Sequence, residues 1–126
     1  MKRVFLYNIG EEKRAKIALA ALRNGMRCVV VPPEDFGRPV GCLLGDPAPA
    51  AEAAGELFSD EMLLMETLDG VFLDQLRQMH AAVALKAVVT EQNRTWSSAA
   101  LHRELKLEHE AMRKLTMKKT VHKKRR

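Results

Sequence analysis

Aromatic residues are scarce: six of 126, or 5%, are Phe, Tyr or Trp, so any core must rest on Leu, Val, Ala and Met. The two cysteines, Cys28 and Cys42, have neither CxxC spacing nor a histidine cluster beside them. That excludes a disulfide framework and fits a reducing compartment, so the expected location is the cytoplasm. No apolar run approaches the roughly eighteen residues of a membrane span. Asn8, Gly10 and Glu11 interrupt the first apolar run too early for a signal-peptide core, and no membrane partner is expected. Neither GxGxxG nor GxxxxGK[ST] occurs, which excludes a standard dinucleotide or nucleotide loop. Acidic residues are also missing from one end of the chain, because all sixteen lie at or before Glu110.

What is present suits one globular domain. The length fits a single core, and the 47% apolar and 29% charged fractions sit near globular averages. The net charge of +5 is divided sharply. Residues 1–110 hold thirteen Lys and Arg against sixteen Asp and Glu, a net of −3, and residues 111–126 carry +8. The expected division is a domain over 1–112 and a basic, disordered tail over 113–126.

Punctuation along the chain marks two strand–helix–strand units. Val4–Ile9 is rich in β-formers, and Glu11 and Glu12 favour the first turn of a helix over Glu11–Asn24. Asn24-Gly25 is a stop, Cys28–Val31 is a second strand, and Pro32-Pro33 ends it by removing two donors. Residues 34–60 are punctuated by glycine and proline, with a short helix possible over Ala50–Phe58. Met62–Glu66, Asp69–His80 and Val83–Val89 repeat the strand–helix–strand order. Ser97 is placed to cap a last helix whose expected buried stripe is Leu101, Leu105, Met112 and Leu115. That helix is expected to fray beyond Leu115. Strands apolar on both faces argue for an α/β fold, a four-stranded, mostly parallel open sheet with helices on both faces. The alternative is a ferredoxin-like α+β sandwich with all helices on one face.

Three strings carry a resemblance: RVFLYNI at 3–9, VVVPPEDFGRPVGCLLG at 29–45 and ALKAVVTEQNRTW at 84–96. Over residues 1 to about 110 the chain resembles an uncharacterised bacterial family, domain of unknown function 3783. The alanine-rich stretch 48–55 departs from it as an insert. The resemblance implies a compact bacterial domain and no particular activity.

Candidate site residues come from strand ends. In a parallel sheet the loops after every strand gather along one edge, a usual ligand location. Asn8, Glu34, Asp35, Thr67, Thr90 and Asn93 would share that crevice, with Lys86 favouring an anionic ligand and Trp96 beside it. Each has a structural reading too: Asn93 bonding loop backbone, Trp96 plugging the base of the last helix, Lys86 pairing with an acid. The histidines lack metal-ligand spacing, and no cofactor or metal is expected. No nucleophile–base arrangement is legible, so an enzyme with a site near Lys86, Thr90 and Asn93 ranks below a non-catalytic module for a small anion or a protein. The other reading is an accessory nucleic-acid-binding protein. Lys118, Lys119, Lys123, Lys124, Arg125 and Arg126 would then hold phosphates without sequence preference.

Overall fold

The computed structural model describes residues 2–47 and 57–124, with side chains as far as Leu115. Four strands form one sheet: β1 (Lys2–Tyr7), β2 (Met26–Val30), β3 (Met62–Met65) and β4 (Leu85–Val88). Three helices accompany them: α1 (Glu11–Arg23), α2 (Gly70–Gln78) and α3 (Ser98–Lys124). Short 3-10 turns occupy Pro33–Asp35, Val40–Leu44 and Asn93–Thr95.

Local chemistry accounts for the boundaries. α1 has Glu11 and Glu12 in its first turn and stops at Asn24 and Gly25, whose φ of 65° suits a residue without Cβ. Asp69 caps α2 by accepting the Phe72 amide at 3.0 Å. Ser97 caps α3 by accepting the Ala100 amide at 3.0 Å, as the sequence predicts. The expected short helix over Ala50–Phe58 lies largely outside the described residues.

The strand order is β2-β1-β3-β4. β1 pairs parallel with β2, with Val4 opposite Cys28, and β3 pairs parallel with β4, with Leu64 opposite Ala87. The central pair, β1 with β3, is antiparallel, with Val4 opposite Met65 and Tyr7 opposite Met62. Two βαβ units are therefore joined back to back. A ferredoxin-like sandwich does not form, because β1 and β2 are immediate neighbours and helices cover both faces.

Alternation along β1 divides the core. Val4 and Leu6 point to one face and pack with Leu63, Met65, Ile17, Phe72 and Leu76 under α1 and α2. Phe5 and Tyr7 point to the other, where Met62, Leu64, Phe36, Val40 and Leu101 meet under α3 and the 33–44 excursion. The Tyr7 hydroxyl shares a 2.8 Å hydrogen bond with Ser98 Oγ, and burial pushes its pKa up to about 12.

The expected stripe on α3 is only half buried. Leu101 is buried and Leu105 packs partly against the core, but Met112 is 64% and Leu115 55% exposed. The reason is length. At about 1.5 Å per residue, the 27 residues of α3 span about 40 Å, whereas strands of four to six residues reach only about 20 Å. The helix also continues to Lys124, past Leu115.

Candidate functional site

The antiparallel centre of the sheet separates the residues expected to share a crevice. Asn8 and Glu34 follow β1 and β2, whereas Thr67, Thr90 and Asn93 follow β3 and β4, which run the opposite way. Carboxyl strand ends thus face two opposite edges, and no common crevice forms from them. Asn8 sits in the left-handed region at φ 59°. Its Nδ2 donates to the Phe58 carbonyl at 2.8 Å and the Asp60 carbonyl at 3.1 Å, tying β1 to the lead-in of β3. Glu34 is exposed on the Pro33–Asp35 turn. Lys86 is exposed on edge strand β4, beside a depression it shares with Leu105, Glu108 and His109.

Thr90, Asn93 and Trp96 do come together, around a depression of about 320 Å³ that Leu101, Glu104 and Glu108 help to line. Their polar groups are turned toward one another. Asn93 Oδ1 accepts the Thr90 amide at 2.8 Å, and Thr90 Oγ1 accepts the Asn93 amide at 3.0 Å. Asn93 Nδ2 donates to the Val88 carbonyl at 3.0 Å. Asn93 therefore staples the loop to the end of β4. Trp96 is partly buried against the second core, and its carbonyl accepts the Val40 amide at 2.7 Å. Arg94 makes two bonds to Asp46, at 2.5 and 2.9 Å, which fasten the 33–47 excursion to this loop. Gly41 lies against that pair: a Cβ there would meet the Asp46 carboxylate and stand 2.7 Å from Arg94 Cγ.

A second group escaped the sequence reading, which asks of the histidines only whether their spacing suits a metal. His102 is buried and stacks on Phe58, with centroids 4.0 Å apart and planes at 5°. Its Nε2 lies 2.9 Å from Asp60 Oδ2, and Lys106 Nζ donates to the same oxygen at 3.2 Å. These bonds, that of His102 first, hold the Asp60 carboxyl below the usual range. A hollow of about 350 Å³ opens above them, also lined by Leu57, Arg103 and Leu107. The available signal was the i,i+4 spacing of His102 and Lys106, which puts two bases on one helix face. Among the described residues no group of three or more His, Cys, Asp or Glu could hold a metal ion.

Beyond this hollow α3 runs past the edge of β4, where Glu108, His109 and Met112 border a depression with Ala84, Leu85 and Lys86. Every residue from Lys106 to Leu115 is exposed. At about 100° per residue, Leu107, Ala111 and Leu115 fall on the side of α3 opposite the buried His102, although Leu115 stands only about 40° round the helix from Leu101. Leu107 is 59% exposed. The side chains of Lys118, Lys119, Lys123, Lys124, Arg125 and Arg126 lie outside the described residues.

Residues 62–112, which run from β3 into the exposed part of α3, match a family model described as a domain of unknown function (DUF3783), the family that the sequence resembles. The N-terminal βαβ unit lies outside the matched segment. No curated protein and no solved structure matches the chain.

Proposed function

We propose that the chain is a non-catalytic, protein-binding module whose docking element is the outward side of α3. The observation that carries this is the run from Lys106 to Leu115, exposed throughout yet bearing leucines at 107 and 115 that stay more than half exposed. A helix with no buried face gains little stability from propensity alone, so a partner covering Leu107 and Leu115 would stabilise this run. The polar groups at the strand-end site support the non-catalytic part, since Thr90 and Asn93 are engaged with each other and with the Val88 carbonyl. Residues 1–112 are read as the folded domain and 113–126 as its basic extension. A cytoplasmic location agrees with two free cysteines, and no described helix is long and apolar enough to cross a membrane.

Hydrogen exchange on dilute protein tests this reading. Amides of Lys106–Leu115 are expected to exchange much faster than those of α1 and of Ser98–Leu105. Equal protection in the dilute monomer would mean that the domain itself holds the outer helix, and the docking reading would fail.

Charge segregation favours one other reading, a nucleic-acid contact through the eight cations after Glu110. If five or six of them engaged duplex phosphates, affinity would fall with salt at a log–log slope of about −4.5 to −5.4. Removal of the residues after Met117 would flatten that slope.

A further inference from the structure

We infer that the partner of α3 is a second copy of this chain, bound by antiparallel pairing of the two helices about Ala111; this rests on the docking reading above. The argument begins with the outward side of the helix. Leu107, Ala111 and Leu115 are spaced four apart, so they form one line down α3, and a small residue stands at its midpoint. Laid antiparallel on itself with Ala111 at the dyad, the line is self-complementary. Leu107 of one copy meets Leu115 of the other at both ends, and the two Ala111 residues meet in the middle. Small side chains at that crossing allow the close axial approach, about 8 Å, of tightly packed helices. A two-fold arrangement of this kind uses the same patch on both copies and closes on itself.

Charge selects the direction. Before the dyad α3 carries Glu104, Glu108 and Glu110, and after it the sequence holds only cations among its charged residues, beginning with Arg113 and Lys114. Antiparallel pairing sets Glu108 of one copy against Lys114 of the other. It also lays each basic end along a body of net −3. Parallel pairing would align the two basic ends and be opposed by their repulsion. The outward side stays open toward the start of α3 as well, since Arg103 and Glu104 are exposed, so the partner helix has room to pass. A nucleic acid would use the cations but has no use for the leucines, which is why a second copy is favoured.

The test uses the full chain. Sedimentation equilibrium over a wide concentration range should show a monomer–dimer equilibrium. Leu107→Ser with Leu115→Ser, both at exposed positions, should weaken it by roughly tenfold or more while leaving thermal unfolding of the dilute monomer unchanged. Ala111→Cys places two thiols at the dyad, so mild oxidation should give a covalent dimer that the wild-type chain, with Cys28 and Cys42, does not form. A chain that stays monomeric at every concentration, a dimer indifferent to the leucine substitutions, or an Ala111→Cys chain that cross-links no better than wild type would each overturn the inference. Binding of duplex DNA by a chain that never dimerises would overturn it in favour of the polyanion. The two readings fail separately. Monomeric protein with fast-exchanging outer α3 amides removes the second copy and keeps the docking surface, whereas protected amides in that monomer remove both.

Discussion

Replacing Asn93 by alanine separates a structural from a ligand-binding role at the strand-end site. The side chain makes two bonds that alanine cannot, Oδ1 to the Thr90 amide at 2.8 Å and Nδ2 to the Val88 carbonyl at 3.0 Å. Net contributions of about 0.5–1.5 kcal/mol each give 1–3 kcal/mol. Thr90 is exposed and Val88 half-buried, so water reaches the orphaned groups and the full desolvation penalty does not apply. The expected loss is therefore about 2 kcal/mol, or roughly 6–10 °C for a domain of this size. Urea unfolding followed by far-UV circular dichroism measures it, with an unchanged m-value as the check that only stability has moved. The reciprocal bond from the Asn93 amide to Thr90 Oγ1 adds a second reading. Thr90→Val and Asn93→Ala should couple, with a double-mutant interaction energy of about 0.5–1 kcal/mol. A loss below about 0.5 kcal/mol for Asn93→Ala would refute the staple and return Asn93 to the list of groups free for a ligand.

Gly41→Ala should cost about 1–3 kcal/mol in the same assay, because the added Cβ displaces the Asp46–Arg94 pair that fastens the excursion. Asn8→Ala should be more destabilising than Asn8→Gly by about 1–2 kcal/mol, since both lose the bonds to Phe58 and Asp60 but only alanine resists a φ of 59°. Arg3 holds the Glu66 carboxyl below its ordinary value by a 2.7 Å bond. That contribution is complete above the ordinary glutamate range near pH 4 and is lost as pH falls through the lower folded value. The difference in urea midpoint between wild type and Arg3→Ala should therefore be widest near neutrality and shrink on acidification, and a gap that grew instead would exclude the pairing.

Both βαβ units were legible because their boundaries are written in local chemistry. Gly25 stops α1, Asp69 and Ser97 cap their helices, and the double-faced apolar strands require covering on both sides. Direction was not legible. The pattern of Met62–Met65 reads the same whether β3 lies parallel or antiparallel to β1, and that one choice dispersed the expected crevice. The fate of α3 was hidden for a related reason. Periodicity marks Met112 and Leu115 as apolar on a helix, but it does not show that a short sheet leaves both side chains more than half exposed. In the Asp60–His102–Lys106 group the two helix residues show their i,i+4 spacing, but Asp60 lies 42 and 46 positions from them and no local signal links it to either.

The back-to-back sheet also bears on how the chain assembles. Within each half, pairing spans short separations, 24 positions from Lys2 to Met26 and 23 from Met62 to Leu85. The seam between halves joins Val4 to Met65, 61 positions apart. Closing the longer loop costs about 0.8 kcal/mol more in chain entropy, so local pairing is expected ahead of the seam. Neither half can rest there, because Val4, Phe5, Leu6 and Tyr7 pair along the seam with Met65, Leu64, Leu63 and Met62, and all eight are buried to within 1%. Parting the halves would uncover an apolar strand edge on each. Substitutions along the seam are therefore expected to act on the whole chain at once, leaving no stable half behind.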